Sequence, residues 1–144
     1  MKEENTIKFH ILAVICIILF CVSLAPITMQ NDTYYTIKIG EHILENGIDM
    51  QDPFSWHEDL PYTYPHWLYD VATYLVYQAG GFLGIYLVTA ALACILGLLI
   101  YFVLNKRAKN PVVSFIITLA AMYLLKDFIA ARAQLVTFIL FVLT

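Results

Sequence analysis

Residues 11–24 read ILAVICIILFCVSL, an almost unbroken apolar run that Ala25, Pro26 and Ile27 extend. Coiled into a helix, the run approaches the roughly twenty residues that cross the hydrocarbon core of a bilayer. A second full-length run extends from Phe82 to Leu104 and ends at the basic cluster Lys106, Arg107 and Lys109. Over all 144 residues the chain is 61% hydrophobic and 13% charged, with a mean hydropathy of +0.75. A soluble domain is about 45–50% apolar, and one core cannot hide the excess. The pattern predicts an all-α integral membrane protein. Its net charge of -3 is small and no basic run is present, which sets nucleic acid aside as a partner.

Four spans are expected in one membrane domain, at about 9–29, 82–104, 111–125 and 128–144, with a long loop over about 30–81. Ser23-Leu24-Ala25 looks like a signal-cleavage site, but Pro26 at the first mature position disfavours cleavage, so an uncleaved helix is expected. The third segment is short and needs tilt or local thinning of the bilayer. The fourth is apolar apart from Arg132 and Gln134 and runs into Thr144, so the bundle is expected to be the amino-terminal piece of a larger one. Lys2, Lys8, Lys106, Arg107 and Lys109 lie on one side. The loop has only Lys38 against Asp32, Glu41, Glu45, Asp49, Asp52, Glu58 and Asp59. The positive-inside rule makes the amino-terminus cytoplasmic and the loop extracytoplasmic.

Within the loop, Thr33 to Asn46 has helical periodicity. Tyr35, Ile37, Ile39, Gly40, Ile43 and Leu44 fall on one face and Lys38, Glu41, His42 and Glu45 on the other. Asn31 or Asp32 is expected to cap it and Gly47 to end it, giving a helix along the membrane surface. Asp52-Pro53, Leu60-Pro61 and Tyr64-Pro65 make 47–65 irregular. It is expected to pack through Phe54, Trp56, Tyr62 and Tyr64. Trp67 to Gln78 reads as a second interfacial helix, broken by Gly80-Gly81. The three cysteines, Cys16, Cys21 and Cys94, lie in apolar runs and support neither a disulfide framework nor a zinc site.

Five residues stand out for chemistry. Asp32 follows the first span at the membrane–water boundary, where a carboxylate can take a proton from a hydroxyl or simply cap the next helix. His66, between Pro65 and Trp67, can bind a phosphate, share a proton or hydrogen-bond within the loop. Arg132 is costly facing lipid and must meet a polar cavity, an anionic headgroup or the interface. Tyr35 and Trp67, with the loop's other aromatics, suit sugar faces and interfacial anchoring equally. His57 beside Glu58 and Asp59 is better read as solvated loop than as a metal site, since adjacent residues converge poorly on one ion.

The order Asn31-Asp32-Thr33, Ile37-Lys38-Ile39-Gly40-Glu41, Asp52-Pro53-Phe54-Ser55-Trp56, Pro65-His66-Trp67-Leu68-Tyr69-Asp70, Gly80-Gly81 and Ala131-Arg132-Ala133-Gln134-Leu135 resembles the amino-terminal part of bacterial multi-spanning glycosyltransferases of the C type. These are polyprenyl-phosphate-sugar-dependent relatives of mannosyl- and arabinosyltransferases. The resemblance implies two helices along the membrane in the first outward loop and a catalytic base at Asp32. It also implies attack by an acceptor hydroxyl on a lipid-phosphate sugar at the extracytoplasmic face of a bacterial cell membrane. His66, Arg132, Tyr35 and Trp67 are the expected substrate-binding residues. Membrane lipids and the lipid-linked donor are the expected partners. No cofactor is fixed, a divalent metal stays open, and oligomeric state is not readable. Thr33 follows Asp32 where many members carry paired acids, and Ala133 stands where related sequences often have proline. Family enzymes are several times longer, so a 144-residue piece is expected to be inactive by itself. The rival readings are a non-catalytic scaffold or glycan- and lipid-binding subunit of the same fold, and a transporter component.

Overall fold

The computed structural model describes residues 2–57 and 60–144. Among them the structure is helical, with one isolated antiparallel bridge, Gln51 to Pro61. The helices are α1 (Lys2–Leu24), α2 (Asn31–Asn46), α3 (Trp67–Ala108), α4 (Pro111–Leu124) and α5 (Ala133–Leu143), with a 3₁₀ turn at Lys126–Phe128. Among the described residues two helical segments are long and apolar enough to cross a membrane, Thr6–Leu24 and Trp67–Ala108, whose most apolar 18-residue windows have mean hydropathies of 2.6 and 2.7. Helix α3 is broken inside at Gly81 (φ 58, ψ -149), at the Gly80-Gly81 pair where the sequence predicts a stop. The chain divides into two units, Met1–Thr28 with Tyr86–Thr144, and Met29–Ile85.

The first unit has its core on the inward stripe of α1. Ala13, Ile17 and Cys21 recur every fourth residue and are 2%, 0% and 0% exposed. Ala93, Leu96 and Tyr101 of α3, Met122 of α4, Ile129 and Leu135 complete the core. Gly97 lets α1 and α3 approach: a Cβ there would lie 2.7 Å from Cys21 Sγ. The Tyr101 hydroxyl and His10 Nδ1 lie 2.6 Å apart, giving the buried phenol a polar partner. Pro111 starts α4 at its first helical position, and the Asn110 side chain accepts from Val112 N and Val113 N at 3.1 and 3.3 Å. Buried Ser114 and Thr118 donate to the carbonyls four residues back, so neither hydroxyl is stranded.

Helix α4 occupies 14 residues of the short segment expected at 111–125, about 21 Å of rise against a bilayer core of roughly 30 Å. The apolar run expected as a helix from 128 becomes one only at Ala133. The chain first makes the 3₁₀ turn and then extends through Arg132 (φ -133, ψ 150), because Lys126, Asp127 and Arg132 interrupt the apolar pattern with charge.

In the second unit α2 packs on the start of α3. Its buried residues are Thr33, Thr36, Ile37, Ile39 and Gly40, whereas Tyr35 and Leu44, expected on the same apolar face as Ile37, Ile39 and Gly40, are exposed. At Gly40 size decides the fit, because a Cβ there would collide with the Asp70 carbonyl. The helix is not capped by Asn31 or Asp32: Gln30 holds the cap position and makes no side-chain bond there. Gly47 ends it as expected, donating to Ile43 O with φ 83.

Candidate functional site

The irregular stretch after α2 is tied by hydrogen bonds from its own polar residues. The Asp49 carboxylate accepts from Gln51 N at 3.1 Å and from the Tyr64 hydroxyl at 2.8 Å, and lies 3.2 Å from His42 Nε2. The Gln51 backbone bond, then the Tyr64 hydroxyl, hold the Asp49 carboxyl below its ordinary value. Burial, then the hydrogen bond to Asp49, push the Tyr64 phenol up to about 12. Tyr35, Phe54, Tyr62 and Tyr64 make edge contacts, with Tyr62 and Tyr64 centroids 5.0 Å apart. Burial, then the hydrogen bond with Tyr62, raises the Tyr35 phenol. Trp56, expected to pack here, is 94% exposed and leaves the cluster to the tyrosines and Phe54. Glu58 and Asp59, considered with His57, lie outside the described residues.

Asp32 is an exposed residue in the first turn of α2, where a carboxylate is favoured by the helix dipole. Tyr35 follows on the same helix. His66 immediately precedes α3, its carbonyl accepting from Tyr69 N and Asp70 N, and Trp67 is the first residue of that helix. These four expected site residues belong to the second unit. Arg132 belongs to the first, half-buried at the start of α5, where its carbonyl accepts from Leu135 N.

Sequence reasoning passes over Asp70. One helical turn beyond His66, its side chain is 1% exposed, and His66 Nδ1 lies 2.9 Å from Oδ1 and 3.0 Å from Oδ2. The near-equal distances put Nδ1 within hydrogen-bond reach of both carboxyl oxygens at once. Burial works against the Asp70 charge, and the imidazole works for it. The spacing of four that sets the two side chains on one helix face is visible in the sequence. Asp70's burial is not, because α2 supplies it.

A groove of about 270 Å³ runs between Tyr34, Ile37, Lys38 and Glu41 of α2 and Tyr74, Tyr77 and Phe82 of α3. Phe82 makes ring contacts with Tyr34 and Tyr77 at 5.4 and 5.0 Å. Lys38 and Glu41 pair at its edge. Aromatic walls with a charged rim suit a ligand that has both apolar faces and hydroxyls. Among the described residues no group of three His, Cys, Asp or Glu side chains gathers to hold a metal ion. No family model, curated protein or solved structure matches the chain.

Proposed function

We propose that the chain is a membrane-embedded sugar transferase component that uses a polyprenyl-phosphate-linked donor at its extracytoplasmic face. In this reading α1 and the part of α3 beyond Gly81 cross the bilayer, and α4 and α5 supply the third and fourth membrane segments. Ile11, Leu12, Ile15 and Leu19 of α1 stay exposed and face lipid. The charge asymmetry between the ends of the spans and the loop supports the outward placement of residues 29–85.

The observation that carries the reading is the position of Asp32, an exposed carboxylate in the first turn of the helix that follows the first span. There it takes the proton of an acceptor hydroxyl as the oxygen attacks the anomeric carbon. The bond from that carbon to the phosphate breaks, and the lipid phosphate leaves with the electron pair. His66 is the proposed partner of the phosphate, and Tyr35 and Trp67 those of the sugar.

Asp32→Asn at the chromosomal locus tests this. Asparagine preserves shape but is no base at neutral pH. Sugar transfer is expected to fall at least 100-fold, the scale of general-base catalysis, and the lipid-linked sugar to accumulate. Transfer at the wild-type rate with normal protein levels rejects Asp32 as the base.

A further inference from the structure

Three histidines of the second unit are described, and they are used differently. His42 engages both ring nitrogens, Nε2 with Asp49 at 3.2 Å and Nδ1 with Asn46 at 3.1 Å. His57 lies in the exposed irregular stretch. His66 is held by Nδ1 alone against a carboxylate that is 1% exposed, while its own side chain is 45% exposed. Among the described residues, His66 Nε2 has no hydrogen-bond partner. A ring fixed on one side by a buried carboxylate and open on the other is the arrangement by which proteins aim an imidazole at a ligand.

We propose that Asp70 is a positioning residue that orients His66 so that Nε2 binds a phosphate monoester oxygen of a lipid-linked phosphate. The ligand's identity rests on the transferase reading, in which that group is the leaving phosphate. In the complex each ring nitrogen bears a hydrogen, the proton on Nε2 coming from the P–O–H of the phosphate monoanion or from a buffer acid. Nδ1–H donates to Asp70 and Nε2–H to the phosphate. The imidazolium then lies between two anions, which compensates the buried carboxylate as well as the ligand. The unit offers few other cations: its lysine, Lys38, is already paired with Glu41.

The test is ¹⁵N-histidine NMR on the whole chain in micelles, titrated with farnesyl phosphate, with farnesol, with inorganic phosphate and with phosphatidylglycerol. In the free protein the His66 signals are expected to show the Nδ1–H tautomer. Farnesyl phosphate should shift the Nε2 signal and leave His42 unchanged, while farnesol should shift neither. Asp70→Asn is expected to disturb the tautomer and to weaken farnesyl phosphate binding about tenfold, as is His66→Gln. The latter alters an exposed ring and leaves the buried carboxylate in place, so it keeps the test open if Asp70→Asn misfolds. A silent Nε2 signal at saturating farnesyl phosphate overturns the proposal. So does equal binding by His66→Gln, and inorganic phosphate or phosphatidylglycerol acting as strongly as farnesyl phosphate rejects the lipid monoester as ligand. Phosphate binding at His66 in a protein that transfers no sugar would reject the transferase and retain the anion site. Transfer with a silent His66 would do the reverse.

Discussion

Gly40 faces the backbone of Asp70 so closely that a Cβ on Gly40 would overlap the Asp70 carbonyl oxygen and lie 2.8 Å from Tyr74 Cβ. The opposing atoms are backbone and a Cβ, neither of which can rotate away. Gly40→Ala should therefore force α2 and the start of α3 apart, at a cost of about 1–3 kcal/mol typical of overpacking. Thermal unfolding in micelles, followed by circular dichroism, measures the loss. An alanine variant as stable as the parent would contradict the close crossing. The same displacement moves the backbone that holds the Asp70 side chain, so the His66 signals should shift as well.

That crossing also explains what the sequence discloses and what it withholds. Hydropathy marks α1 and the long apolar part of α3, because each run keeps its character for a whole span. Gly80-Gly81 marks the break between the first part of α3 and its long apolar part, because glycine acts locally. The inward face of α2 is not legible in this way. Thr33, Thr36 and Gly40 are buried, Gly40 against the Asp70 backbone of α3, and the aromatic Tyr35 is left exposed. The site divides similarly. Asp32 and His66 are visible as polar residues beside helices, but Asp70 becomes significant only when tertiary contact buries it.

Asp49 predicts a pH dependence in the irregular stretch. Its carboxyl is held below the ordinary value by Gln51 N, the Tyr64 hydroxyl and His42. A depressed folded-state value means the unfolded chain binds more protons, so stability rises with pH through this range. The stabilisation is present above the ordinary carboxylate value of about 3.9 and is lost as pH falls through the lower folded-state value. Hydrogen exchange at the Gln51 amide should accelerate relative to intrinsic rates over that acid range. Asp49→Asn should remove the pH dependence. An unchanged acid profile in that variant would assign the titration to another group.

The start of α4 depends on one side chain. Asn110 accepts from Val112 N and Val113 N, two of the amides that have no partner within the helix. Asn110→Ala is expected to cost about 1 kcal/mol, and Asn110→Asp to preserve the cap. Both can be measured by thermal unfolding in the same micelles. Equal losses from the two variants would show that the carbonyl oxygen is not what the helix requires.

Adjacent glycines in α3 should respond in opposite directions. Neither Gly80 nor Gly81 has any atom within 4 Å of an added Cβ, so sterics against neighbours do not decide the outcome. Gly80 has ordinary helical geometry, and alanine there should stabilise the protein by about 0.5–1 kcal/mol through reduced backbone entropy in the unfolded chain. Gly81 has φ 58 and ψ -149, a conformation that side chains of L-residues rarely adopt. Gly81→Ala should cost about 1–3 kcal/mol if the break is retained. The paired comparison cancels effects of the micelle and of added apolar volume, leaving the backbone as the difference. A gain at both positions would mean that α3 runs straight through Gly81 at little expense. The break inside α3 would then need another cause.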